Sequence, residues 1–221
     1  MSWVQEAATF FTALEADNTR EQRQAHRASY DSVLRPAFVE LVEAVPGWGP
    51  WRVYRAHTDT RFGGPTYKTF LGAVTERADG VGAFVQVGPR GLLLGTGVPM
   101  PAPDQLLRLR TALADDAAGT AFVEAVELIE VAGARVHGGR YEPLARVPRG
   151  FPADSPRGTW LRWKGVEVNQ RPPADGSATG THVGDLLAVG DPLHRWLAGH
   201  VGPSALSAEE RFAPKRPARR T

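Results

Sequence analysis

The spacing of apolar residues changes character at one short segment, Pro46-Gly47-Trp48-Gly49-Pro50, and that change constrains the fold more than any other feature. Before it the period is helical. Val4, Ala8, Phe11 and Leu14 share one stripe of a helix over residues 2–16. Val33, Leu34, Phe38, Leu41 and Val45 give a core face to a second helix that runs towards Ala44. Asn18, with Glu21 three residues on, reads as the N-cap and capping-box acid of that second helix. Pro36 lacks an amide hydrogen, which predicts a kink or break near Arg35. Beyond Pro50 the period is two. Trp51, Val53 and Arg55 alternate with Arg52, Tyr54 and Ala56, and residues 67–75 read as a second strand. Residues 81–87 and 92–98 form a hairpin about Gly88-Pro89-Arg90-Gly91. Helical spacing returns over 104–115 and 121–132, short strands follow near 135–147, 160–168 is mixed, and the last helical region covers 183–200. Helices, then antiparallel strands, then helices predict an α+β fold with a central, mainly antiparallel sheet.

The 221 residues suffice for one domain with its own core. Residues 1–202 read as that single α+β domain, and 203–221 as a disordered basic tail of Pro, Ala and Arg, too poor in apolar surface to offset ordering. The formal charge of +2 sits in the tail, since the rest of the chain holds 21 basic against 22 acidic residues. The body is therefore no general polyanion binder, and any attraction to nucleic acid is expected to be weak, salt-sensitive and confined to the tail. Cysteine is absent, which excludes disulfides, thiolate metal sites, iron–sulfur clusters and cysteine nucleophiles. No run approaches 18 apolar residues and the N-terminus lacks a signal-peptide pattern, so a cytoplasmic protein without membrane contact is expected. Gly-rich phosphate loops, GxGxxG, GxSxG and HExxH are all missing, and neither a metal nor a cofactor is expected.

The chain has 23 arginines and three lysines, Lys68, Lys164 and Lys215. A lysine kept in so Arg-rich a chain points to a need for a compact ammonium, or to chance survival. The densest candidate stretch is 55–68, with Arg55, His57, Asp59, Arg61, Tyr67 and Lys68 around Gly63-Gly64-Pro65. A tight turn there sets Arg61 beside Lys68, an unfavourable pairing unless an anion or a carboxylate lies between them. In one reading Arg61 and Lys68 hold a phosphate or carboxylate, Asp59 and Tyr67 are the catalytic pair, and Arg55, Arg110 and Lys164 add further cationic ligand contacts. In the other, Asp59 pairs with Arg61 or Lys68 at the sheet surface and nothing binds. His57-Thr58-Asp59 could present two metal ligands on one face of a strand, but no third is local.

The order of motifs resembles the bacterial and fungal family known as domain of unknown function 2461. Asn18, Arg20, Glu21, His26 and Tyr30 look like that family's early helix segment. Asp59, Arg61, Phe62, Tyr67, Lys68 and Thr69 look like its central motif. Gly95 and Gly97, Leu109-Arg110, Pro148-Arg149-Gly150-Phe151 and the 161–164 stretch are also similar. Gln22 and Arg23 stand where the family has an aromatic pair, Thr58 where an Arg is usual, and the turn after Phe62 is shorter and lacks an Asp-Lys. The resemblance implies a single α+β domain with no established activity, and it puts Lys68 and Lys164 on motif positions. Two functions stay open: a protein that binds or acts on an anionic small molecule, and a non-catalytic interaction module with a basic tail.

Overall fold

Helix α1 (Trp3–Ala16) begins where Ser2 accepts from Gln5 N and the Gln5 side chain answers to Ser2 N, a closed capping box. The computed structural model describes residues 2–57, 65–173, 175 and 177–211. The next cap departs from expectation. Thr19 caps α2 (Arg20–Ala25) by accepting from Gln22 N, while the Asn18 side chain is taken by the Tyr67 backbone, accepting from its N–H at 2.9 Å and donating to its carbonyl at 3.0 Å. Asn18 thus ties the first helices to the chain entering the sheet. The expected second helix is split into α2, α3 (Arg27–Ser29), a π-helical turn (Tyr30–Leu34) and α4 (Arg35–Glu43). Pro36 cannot donate to the carbonyl four residues back, and just before it the Arg35 N–H reaches Tyr30 O with five-residue spacing.

The sheet has six strands in the order β1-β2-β3-β4-β6-β5, every neighbouring pair antiparallel. They are β1 (Arg52–Val53), β2 (Leu71–Glu76), β3 (Gly82–Gly88), β4 (Gly91–Val98), β5 (Arg135–His137) and β6 (Val166–Gln170). The first two strands are shorter than the alternation suggests. Bends at Thr69 and Phe70 interrupt the ladder, leaving one bridge between His57 and Tyr67 and a bond from Lys68 N to Ala56 O where a longer pairing was expected.

Side chains alternate across a strand, so the register decides what each face carries. Ala73, Val85 and Leu94 form one row, with Thr96, Val98, Val166 and Val168 continuing the same face. This face is covered. α1, α4 and α8 (Gly180–Ala188) lay Phe11, Leu14, Phe38 and Leu187 on its first half. α5 (Pro103–Ala114), α6 (Asp116–Val131), α7 (Gly158–Leu161) and α9 (Asp191–His200) lay Leu109, Phe122, Leu161 and Trp196 on its second. Full burial of each such side chain contributes about 1.5–3 kcal/mol. The residues of opposite parity, Val74, Phe84 and Leu93 among them, join neither cluster.

Two buried polar side chains lock the covering layer. Arg157 passes against Gly119, where a β-carbon would lie 2.4 Å from its Nε, and donates from Nε to Leu113 O at 2.6 Å at the end of α5. It also reaches Asp116 Oδ1 at 2.8 Å. The Asp116 carboxylate is in open solvent, so the carbonyl bonds carry the stabilisation. His194, 2% exposed, sits mid-helix in α9. Its Nε2 lies 2.8 Å from Thr96 Oγ1 and its Nδ1 3.0 Å from Asp191 Oδ1, with Trp48 edge-on at 5.8 Å and the Arg77–Asp79 ion pair facing it. Burial pushes the His194 imidazole below its ordinary 6.5, against the opposing pull of Asp191.

Residues 203–205 are bound to α5. Ala205 N and Ser204 Oγ donate to Asp104, and Arg108 Nη2 donates to Pro203 O. Burial tends to raise the Asp104 pKa, but these bonds outweigh it and hold the carboxyl at about 2. A short helix, α10 (Ala208–Arg211), follows. The rest of the basic tail, on which the nucleic-acid expectation rests, lies outside the described residues. Among the described residues no helix is long and apolar enough to cross a membrane.

Replacing Arg157 with Ala should cost about 2–3 kcal/mol in urea unfolding, the loss of buried bonds from a charged donor, whereas Asp116→Asn should change little. A depressed His194 leaves stability intact above pH 6.5 and erodes it as the pH falls from there through the lower folded value. Thermal midpoints should therefore drop between pH 7.5 and 5.5, and His194→Gln should flatten that drop.

Candidate functional site

The uncovered face of the sheet carries the most unusual chemistry in the molecule. Its central row runs Arg52, Val74, Phe84, Gly95, Asn169, Arg135, and the row beside it Glu76, Gly82, Gly97, Glu167, His137. Glycines are required in these rows because neighbours lie flat across the strand. A β-carbon on Gly95 would sit 2.1 Å from the Phe84 ring and 2.4 Å from Asn169 Oδ1. The result is a concavity of about 650 Å³. Tyr54, Phe70, Val74 and Phe84 form an apolar wall, with Tyr54 and Phe70 edge-to-face at 6.3 Å. Arg52 approaches the Tyr54 ring at 5.9 Å.

Polar groups converge at the other side of this concavity. Glu167, 8% exposed, accepts from Asn169 Nδ2 at 3.3 Å. Burial pushes its carboxyl up from the ordinary value, and Asn169, His137 and Arg140 only partly oppose that. Asn169 Oδ1 is buried with no hydrogen-bond partner, a state that costs about 1–3 kcal/mol. Tyr54 is raised by burial, with Arg52 and Arg140 pulling the other way, which places both guanidiniums near the same ring. Among the described residues neither Arg52 nor Arg140 makes an ion pair. A buried acid, an orphaned acceptor, an aromatic wall and two uncommitted guanidiniums can recognise a molecule with a ring, hydrogen-bond donors and negative charge. Among the described residues no group of three His, Asp or Glu could hold a metal ion.

The residues singled out from the sequence do not gather here. Asp59 and Arg61 lie outside the described residues. Tyr67 is in the covered core, 9% exposed, with His57 tilted against its ring at 4.9 Å. Lys68 does meet Arg55, but through the backbone: its Nζ donates to the carbonyls of Arg55 and His57. Arg110 is taken up by α7 and the turn after it, donating to Leu161 O at 3.1 Å and Trp163 O at 3.0 Å, and burial lowers its pKa. Lys164 is half-buried in the next loop. Glu167, Asn169, Arg140 and Tyr54 were the residues missed. Their signal was the alternation in Val166-Glu167-Val168-Asn169, two apolar positions facing one way and two polar ones the other.

The family model described as a conserved hypothetical protein, DUF2461, matches residues 6–189. The chain belongs to the DUF2461 family. No curated protein and no solved structure matches it. The DUF2461 match takes in the aromatic wall, Arg140 and the Glu167–Asn169 pair, and stops short of α9 and of Arg211 at the rim.

A carboxyl raised on folding favours the native state at low pH and loses that advantage as pH rises from about 4.5 through the higher folded value. Glu167→Gln should accordingly be more stable than the parent at pH 8 and nearly equal to it at pH 4, measured by urea unfolding at both.

Proposed function

We propose that this DUF2461 protein binds a small organic molecule bearing an anionic group on the open face of its sheet. The ring or apolar body of the ligand lies on Tyr54, Phe70 and Phe84. Its hydrogen-bond donors meet Asn169 Oδ1, and its negative charge is met by Arg52 and Arg140. Glu167 is the group that exchanges a proton with the ligand, because burial raises its pKa and a carboxyl kept from water holds its proton more readily than an exposed one. The observation that carries this reading is the Glu167–Asn169 pair, a buried acid that accepts from the Asn169 amide nitrogen while the buried oxygen of the same amide has no partner among the described residues. Such groups, placed in the wall of a concavity, are characteristic of recognition sites.

A thermal-shift screen of phosphorylated and carboxylated metabolites tests it. A ligand at 100 times its Kd stabilises by about 2.7 kcal/mol, roughly 5–10 °C for a chain of this size. Hits should be lost in Tyr54→Ala and Arg140→Ala. Hits that survive both changes would place the ligand elsewhere.

A further inference from the structure

A second concavity of about 590 Å³ lies at the β5 end of the sheet, where the open face meets α8. Its lining includes Arg135, His137, Arg171 and His182, together with Asn169, and contains neither Asp nor Glu. Each of these side chains is placed by its own element. β5 pairs Arg135 with Asn169 and His137 with Glu167, turning Arg135 and His137 to the open side while Val136 turns to the core. Arg171 directly follows β6, and Pro172 and Pro173 behind it, with φ fixed by their rings, make a stiff wall. His182 stands half-buried in the first turn of α8, whose cap is Thr179.

His137 lies opposite Glu167 across the β5–β6 pair, so the positive charge of this corner rests on its arginines. Among the described residues Arg90, Arg135 and Arg171 make no ion pair. Asp175, near enough to His182 to feel its charge, is engaged instead by Ser177 through both hydroxyl, at 2.6 Å, and backbone N–H, at 2.9 Å. Arg90, at the tip of the β3–β4 turn, adds its charge beside Arg171, whose pKa is lowered first by burial and then by that neighbour. Like charges drawn together without an acid between them favour occupation by an anion.

We propose that this corner is a phosphate-binding site for a phosphorylated small molecule. Donors arrive from β5, from the chain after β6 and from α8. Such a spread suits a tetrahedral group with several acceptor oxygens better than a planar carboxylate, and guanidinium forks match phosphate geometry. The corner adjoins the first concavity at Leu93 and Asn169 but uses none of Tyr54, Arg52 or Arg140. The two sites can therefore stand or fall separately.

The test is titration of the full chain with inorganic phosphate, followed by ³¹P line broadening and calorimetry, with acetate as the planar comparison. Ribose 5-phosphate against ribose then separates free phosphate from a phosphate ester. The expected result is saturable phosphate binding in the millimolar range, acetate much weaker, and ribose 5-phosphate bound while ribose is not. Arg135→Gln and Arg171→Gln should each weaken phosphate about tenfold, with unchanged melting because both side chains are exposed. The distant surface change Arg195→Gln should leave it unaltered, and Arg171→Lys should recover part of the loss. No saturable phosphate binding, equal affinity for acetate, or equal losses in Arg195→Gln would overturn the proposal. Failure here leaves the open-face reading untouched, because that one is read through Tyr54 and Arg140.

Discussion

Alternation along a β-strand leaves no freedom once one face is committed to the core. Burying Val85, Leu94 and Val168 under the helices sends Phe84, Gly95 and Asn169 to the other side, and a slip of one residue would exchange the two sets. Every later feature descends from this commitment. The helices are spent on one layer, so the second face must be finished by its own side chains. An aromatic wall and glycine rows let those side chains lie flat and shape a hollow.

Two buried ionisable groups on the two faces of this sheet show how burial alone says little about function. His194 on the covered side is met at both ring nitrogens, by Thr96 and by Asp191, and a helix closes over it. Its chemistry is spent on holding α9 to β4. Glu167 on the other side has one long bond from Asn169, whose own oxygen is unserved. The first arrangement is complete within the chain and the second is not. Arg157 and Arg110 belong with His194 in this respect, since both donate to carbonyls at or near helix ends.

Much of the fold was legible because it is written in local periodicity. The hairpin of β3 and β4, the break before Pro36 and the pair of helices after Pro103 follow from spacing and from the two residues, Gly and Pro, that punctuate it. The site was less legible. Charge is densest over 55–68, where the Lys68 ammonium is held by backbone carbonyls and Tyr67 lies in the core. Among the groups lining the concavity, Tyr54 is more than a hundred positions from the Glu167–Asn169 pair, and they share it only through the crossing that places β6 beside β4. That pairing depends on long-range packing, which no local window contains. Asn18 shows the same limit: as a helix cap it fits locally, but its partner is Tyr67.

The sheet also tapers. Its inner strands β2, β3 and β4 have six to eight residues, but its borders, β1 and β5, have two and three. A foreign strand seeking to extend the ladder meets only a few free amides on either flank, and on one of them a guanidinium at Arg135. Truncated margins of this kind discourage the edge-to-edge self-association to which a sheet bare on one side is otherwise exposed.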